Sequence, residues 1–219
     1  MSSPSDAEER AQFMLRMRAR GIQDLGVLRA LERAPRALFI PQRYSDMSAR
    51  DIVLPIGCGQ TAPPPSIVAT MIQNLDVKKQ HSVFEIGTGT GYATALLAQL
   101  AGQVLSVERC HSLALEASAR LEAFGVNNAQ VAWADALATS PGIGRFDRII
   151  IHALIDAAHQ PLSGLLAENG VLVAVMVDES AGDQRVVRLA RGADGALIPS
   201  EHGPARSFMP LAPGLTRGL

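Results

Sequence analysis

The residues of this chain whose types and spacing suit chemistry cluster in four places: Glu85 to Tyr92, Glu108-Arg109, Asp135-Ala136 and His152. Three glycines alternate in Glu85-Ile86-Gly87-Thr88-Gly89-Thr90-Gly91-Tyr92. Without Cβ atoms, such a loop lets a ligand touch backbone. A dinucleotide fingerprint would put its third glycine where Tyr92 stands, and the Gly-Lys-Ser/Thr ending of a phosphate-cradling loop is absent. Glu108 follows Gly91 by 17 residues. A carboxylate there accepts from two hydroxyls at once, as a ribose diol requires. Asp135 can accept from an adenine amino group, with Ala136 offering a backbone contact. Glu85 is expected to face the loop and hold its amides or a nearby water. Histidine titrates near neutrality, so His152 suits a base for a hydroxyl or amine acceptor. A strand-end histidine satisfied by backbone is the plainer reading of it.

These positions need strands to end on. Val83, Phe84 and Ile86 read as a short buried strand, and Ala93 to Leu100 as a helix of Ala and Leu. Strand, glycine turn, helix is the first unit of a doubly wound sheet, where ligands sit off the carboxyl ends of strands. The pattern then repeats. Gln103–Val107 is a strand ending in Glu108, and Leu113–Phe124 a helix stopped by Gly125. Gln130–Trp133 is a strand leading to Asp135, and Phe146–Ile151 one leading to His152. Gln160–Ala167 is predicted helical and ended by Asn169-Gly170, before an all-apolar central strand, Val171–Val177. Arg185–Ala190 and Ser207–Leu211 read as an antiparallel hairpin joined by a Gly-rich link at the sheet edge. The expected fold is therefore α/β, a Rossmann-like doubly wound sheet with that hairpin at its carboxyl end.

Upstream lies a predicted helical layer, residues 7–50. One helix starts near Asp6 and is capped by Gly21; a second starts at Asp24 and carries Val27, Leu28 and Leu31. Residues 51–66 form a stiff segment with Pro63-Pro64-Pro65, a candidate wall of an active site or a plain rigid connector. One domain is expected over 1–219, with a cofactor-binding core at 80–178 and the hairpin at 185–212. Net charge is −1, so no bulk attraction to nucleic acid or anionic membrane is expected. The amino-terminal residues lack the apolar stretch of a secretory signal, and no apolar run is long enough to span a membrane. Two cysteines, Cys58 and Cys110, make neither a disulfide framework nor a zinc site, and no cluster has metal-ligand spacing. A reduced, cytoplasmic protein is the expectation.

The glycine motif resembles motif I of the S-adenosylmethionine-dependent methyltransferases. The segments LPIGCGQT, VFEIGTGTGYATALLA, VLSVER, FDRIII and RSFMPL, with the lead-in GIQDLGVLRALERAPRALFIP, together resemble the protein-L-isoaspartate O-methyltransferase family over nearly the whole chain. The resemblance implies seven strands with helices on both sides, S-adenosylmethionine as donor and a carboxylate on a protein or peptide as acceptor. It places Gln60, Thr61, Glu85, Gly87, Thr88, Gly89, Gly91, Tyr92, Glu108, Arg109, Asp135 and Ala136 around the cofactor, and Thr61 and His152 at the reacting centre. This sequence departs from the family in three places. The serine of the family's Gly-Gln-Thr-Ile-Ser-x-Pro loop is Pro63, its Gly-Asp-Gly is Ala134-Asp135-Ala136, and its Thr-Ala-Ala-Pro is His152-Ala153-Leu154-Ile155. Two other readings stand beside isoaspartyl methylation: the same scaffold acting on another peptide or small metabolite through His152, and a cofactor-binding module without turnover.

Overall fold

The computed structural model describes residues 4–138, 144–156, 162–178, 180–192 and 195–217. Seven strands form one sheet in the order β5-β4-β3-β6-β7-β8-β9: β3 (Ser82–Ile86), β4 (Gln103–Glu108), β5 (Ala129–Trp133), β6 (Phe146–Leu154), β7 (Leu166–Val177), β8 (Gln184–Arg191) and β9 (Leu197–Pro204). The first five are parallel and the last two antiparallel. Two short strands, β1 (Leu54–Pro55) and β2 (Thr61–Ala62), pair apart from it. No helix among the described residues is long and apolar enough to cross a membrane.

Successive residues of a strand face opposite sides, and here both sides are apolar. Val83, Ile150 and Val173 join a core that holds α3 (Pro65–Leu75) and α4 (Tyr92–Leu100) through Met71, Ile72, Leu96 and Leu97. Phe84, Ile149, Ile151 and Leu172 point the other way. Phe84 stacks on Phe146 there, ring centroids 4.9 Å apart. This second face is closed by Ala136, Ile155 and Leu162 from the connections after β5 and β6.

The amino-terminal layer is α1 (Pro4–Ala19) and α2 (Leu25–Arg33). Met17, Ile22, Val27, Leu28 and Leu31 bury into the α4 side of the core. Asp24 caps α2 by accepting from the Val27 N–H at 2.8 Å. Gln73 of α3 accepts from the N–H groups of Gln23 and Asp24 at 2.7 and 2.9 Å, so the turn between the helices is fastened to the main body. Gly125, at φ +83°, ends α5 (His111–Phe124).

Two elements differ from the sequence expectation. The helix over Gln160–Ala167 is not what Leu166 and Ala167 form, since β7 already starts at Leu166; Gln160 lies outside the described residues. Asn169-Gly170 is no helix stop but an irregularity within β7. Phe146 pairs with Leu166 and Arg148 with Val171, so the extra residues bulge out, with Asn169 at φ +58°. A Cβ on Gly170 would lie 2.6 Å from Leu166 Cγ, which explains the glycine. The second strand of the hairpin is Leu197–Pro204, not Ser207–Leu211. Most of β9 is exposed, and prolines, a glycine and the polar run Ser200-Glu201-His202 interrupt its apolar residues, as an edge strand tolerates, so it lacks the apolar run that marks a strand. Ser207–Leu211 instead returns to the end of β6, where Leu154 donates to the Met209 carbonyl and accepts from the Leu211 N–H, both at 2.9 Å.

The start of β3 is pinned to β6 by Asp147, whose carboxylate accepts from the Ser82 N–H at 2.8 Å and its hydroxyl at 2.9 Å. The backbone N–H, then the hydroxyl, hold the Asp147 carboxyl below its ordinary range against the opposing effect of burial. A carboxyl lowered in the folded state stabilises fully above its unfolded pKa and loses that contribution as pH falls through the folded one. Asp147→Asn should therefore lower the melting temperature at neutral pH, and progressively less as the pH drops below about 4, the ordinary aspartate value. Thermal melts of both proteins across that range check it.

Candidate active site

At the carboxyl ends of β3, β4, β5 and β6 the structure has a cleft of about 430 Å³. That is the size of a small-molecule site. Its floor is the loop Gly87–Gly91. All three glycines have left-handed φ: +90°, +55° and +85°. Gly87 also passes close to His152, and a Cβ on Gly91 would lie 3.3 Å from the Ala117 Cβ of α5. The loop hangs on neighbouring strand ends. Gly87 donates to the Val107 carbonyl at 2.9 Å, and Thr88 shares a 2.5 Å hydroxyl contact with Ser106 beneath.

Glu108 stands at the tip of β4, nearly buried. One carboxylate oxygen accepts from the Gly89 N–H and the other from the Cys110 N–H, each at 2.9 Å. It thereby fixes both the glycine loop and the entry to α5, and each oxygen keeps a lone pair for another donor. Asp135 beyond β5 accepts from the Leu137 N–H at 2.9 Å and the Gly214 N–H at 2.6 Å. The carboxyl-terminal segment runs across these strand tips. Arg109 donates to the Gly214 carbonyl at 2.9 Å and the Pro213 carbonyl at 3.3 Å, and His111 donates to the Thr216 carbonyl at 2.8 Å. Met209 to Ala212 form an outer wall.

The opposite wall is the loop from Ile56 to Pro63. Gln60 and Thr61 line the cleft, and the Thr61 hydroxyl donates to the Ser207 carbonyl at 3.3 Å, joining the two walls. Arg36, almost wholly buried, steadies this loop from below. Its terminal nitrogens donate to five carbonyls, those of Ser48, Arg50, Ile52, Ala62 and Pro63, the last at 2.8 Å. Burial pulls its guanidinium below the ordinary arginine value. Asp51 serves the same loop from outside, accepting from the Ser66 N–H at 3.0 Å and hydroxyl at 2.8 Å at the start of α3.

The structure thus brings Gln60, Thr61, Gly87, Thr88, Gly89, Tyr92, Glu108, Arg109, Asp135, Ala136 and His152 to one cleft. Gly91 sits just behind it, at the cap of α4. Glu85 is the exception. It has no exposed surface and neither lines the cleft nor holds the loop amides. Its side chain turns toward α4 and away from the loop. Its carboxylate instead accepts from the Thr94 hydroxyl at 2.5 Å and meets His152 Nε2 at 3.1 Å. The Tyr92 hydroxyl is buried without a hydrogen-bond partner, and burial raises its pKa. The cysteines also correct the sequence reading. Cys58 and Cys110 form a disulfide, with Cα atoms 6.7 Å apart, between the Ile56-to-Pro63 loop and the residue after Arg109. Their separation of 52 residues in sequence hides that proximity.

Sequence reasoning missed Arg36 and the wall Met209–Ala212. The partners of Arg36 are backbone carbonyls up to 27 residues away, which leave no side-chain signature. The motif RSFMPL was visible, but as a strand and not as a wall.

Comparison with known proteins decides the family. The profile described as Protein-L-isoaspartate(D-aspartate) O-methyltransferase (PCMT) matches residues 8–215. The chain belongs to this family. Protein-L-isoaspartate O-methyltransferase 2 of Rhodopseudomonas palustris (strain HaA2) is 40% identical over 219 residues, covering 100% of both chains. The protein-L-isoaspartate O-methyltransferase of Bradyrhizobium sp. (strain ORS 278) is 41% identical over 216 residues, 99% of each. In structure, a putative family member from Plasmodium falciparum, solved in complex with S-adenosyl-L-homocysteine, matches 92% of this chain and 97% of its own with a TM-score of 0.79 at 20% identity. At that identity the likeness speaks for the fold.

The glycine loop yields a direct test. Gly91 and Gly59 are both left-handed, but a Cβ meets nothing within 4 Å at Gly59 and meets α5 at Gly91. Gly59→Ala should cost about 1–2 kcal/mol, the left-handed penalty alone. Gly91→Ala should cost clearly more, because Ala117 and Leu121 must also move. Denaturant unfolding of the two variants measures the difference.

Proposed function

We infer that this chain transfers a methyl group from S-adenosylmethionine to the carboxylate of isoaspartyl residues in proteins or peptides. The observation that carries the reading is one cleft holding a left-handed glycine loop, two carboxylates at adjacent strand tips, and a separate acceptor-side loop. The cleft fits the cofactor. Its glycines leave open backbone where side chains would intrude. Glu108 retains acceptor capacity for ribose hydroxyls, and Asp135 with Ala136 lies where the adenine edge is expected. Gln60, Thr61 and the glycine loop would hold the methionine end. The cofactor, when bound, supplies a methyl group on a positively charged sulfur.

The chain's own work is alignment. A carboxylate with an ordinary pKa of about 4 is already ionised at neutral pH, so no base is needed to prepare it. Fixing the attack geometry and excluding water supply most of the acceleration. The buried Arg36 cation holds the carbonyls of Ala62 and Pro63, setting the height of the acceptor loop. Thr61 clamps that loop to Ser207, and Ile56, Pro63, Met209 and Leu211 supply apolar cover. Pro63 has neither hydroxyl nor N–H, so the loop presents shape and not a donor at this point.

Two experiments follow. Radiolabelled methyl transfer to an isoaspartyl peptide, run beside its normal aspartyl twin, should label the first only; equal labelling, or none, overturns the assignment. Glu108→Gln replaces one acceptor oxygen with an NH₂ that must face the Gly89 or Cys110 N–H. Cofactor affinity by calorimetry should fall at least about tenfold, the value of roughly one charge-assisted hydrogen bond.

A further inference from the structure

The Cys58–Cys110 disulfide lies at the rim of the cleft. Cys58 sits in the middle of the turn Gly57–Gly59, within the Ile56-to-Pro63 loop, and Cys110 is the cap at which α5 begins. The chain holds no other cysteine, so neither sulfur has a rival partner. On both sides of the bond the neighbouring residues line the cleft: Ile56, Gln60 and Thr61 from the loop, Glu108 and Arg109 from the tip of β4. The Cys110 N–H donates to the Glu108 carboxylate at 2.9 Å. The bond therefore ties the loop to the residue that helps to hold Glu108.

The base of the loop has other attachments. β1 pairs with β2 through Leu54–Ala62 and Pro55–Thr61, Thr61 reaches Ser207, and Arg36 holds the carbonyls of Ala62 and Pro63. The turn has fewer. Among the described residues the backbone hydrogen bonds of Gly57–Gln60 stay within the loop. The Ile56 N–H donates to the Gln60 carbonyl at 2.9 Å, and the Gln60 N–H to the Gly57 carbonyl at 3.0 Å. Beyond the disulfide, the loop meets α5 through the apolar cluster of Ile56, Ala62, Cys110 and Leu113, and through the Ser112 hydroxyl, 3.4 Å from Cys58 Sγ. Cys58 also stands at φ +58°, a conformation that residues with a side chain disfavour. Once the tether opens, nothing covalent keeps it there.

The two sulfurs are unequally placed. Cys58 is partly exposed and Cys110 is buried. An incoming thiolate therefore attacks Cys58 Sγ and forms a new S–S bond there. The Cys58–Cys110 bond breaks, and its electron pair leaves on Cys110 Sγ. That sulfur departs at the amino end of the 14-residue α5, with the Ser112 hydroxyl 3.3 Å away, and both favour its negative charge. When the incoming group is a dithiol, its second sulfur attacks its first and releases Cys58. The two protons of the dithiol end on the two cysteines. The protein disulfide is reduced to two thiols, and the dithiol is oxidised to a cyclic disulfide.

We propose that Cys58 and Cys110 form an exchange site for a dithiol, and that the state of the pair sets the grip on the cofactor. Bonded, the turn is fastened beside Glu108, and Gln60 is fixed in the cleft wall. Opened, the turn relaxes, Gln60 leaves its place, and the nucleoside is held less tightly. This rests on the cofactor site proposed above. The cysteines are positioning residues that act through Gln60; Thr61 keeps its own attachments, so the effect is graded.

The test compares the wild-type protein in two states at one pH. One sample is treated with dithiothreitol and the other with oxidised glutathione. Alkylation and intact mass count the free thiols, both cysteines in the first sample and neither in the second. Calorimetry with the demethylated cofactor should then show an affinity at least about fivefold lower in the reduced sample, the value of roughly one hydrogen bond. Reoxidation should restore it. Cys58→Ser and Cys110→Ser should each bind like the reduced protein in either reagent. Equal affinities overturn the proposal even if the reduced sample melts at lower temperature, since the bond then serves stability alone. A bond that the dithiol cannot open overturns it too, as does a Cys58→Ser protein whose affinity still follows the reagent. If affinity differs between the states while no isoaspartyl peptide is methylated, the exchange site stands and the proposed acceptor falls. If the nucleoside binds in neither state, the exchange site and the cofactor site fall together.

Discussion

β3 and β6 are hydrogen-bonded neighbours, yet the chain leaves their ends in opposite directions. After β3 it turns toward β4 and β5; after β6 it turns toward β7. A crevice opens above the two strand tips, where the chain's direction reverses. Both tips must come close for the crevice to have a floor. The register that pairs Ile86 with Ile151 brings Gly87 against His152, close enough that a larger residue at 87 would crowd it. The glycine loop, the position of His152 and the walls that rise on either side all follow from this one parting of the chain.

Two buried acids on adjacent strands show how the same side chain takes different tasks. Glu108, at the end of β4, meets backbone N–H groups, which suit an ionised carboxylate and leave it able to accept more. Glu85, in the interior of β3, meets a hydroxyl and an imidazole. One lines the cleft and the other lies behind it. The difference comes from the side chain's direction: Glu85 turns to Thr94 of α4, Glu108 to the amide of Gly89.

The strands and helices from 82 to 125 were legible because apolar alternation, glycine stops and helix formers agree there. The Asp24 cap was readable for the same reason: it needs a partner only three residues away. The meeting of Gly87, Glu108, Asp135 and His152 at one cleft followed from spacing, as each stands just past the last apolar residue of its strand. What the sequence hid depends on distant backbone. Leu166–Gly170 carries a helix-like ending, but pairing with β6 draws it into a strand. β9 is too broken by prolines, a glycine and polar residues to announce itself. Arg36 looks like any surface arginine until carbonyls from two stretches, 48–52 and 62–63, close around it. The Cys58–Cys110 bond follows only once the loop at 58 folds over the start of α5, and with it the expectation of two reduced thiols gives way.

The segment from Met209 to Thr216 touches the ends of β6, β5 and β4 in turn, through Leu154, Asp135 and Arg109. It is the outer wall of a cleft whose floor was laid more than a hundred residues earlier. On a ribosome, every strand of the sheet emerges before this wall does. A nascent chain can thus assemble its core while this wall of the pocket is still to come.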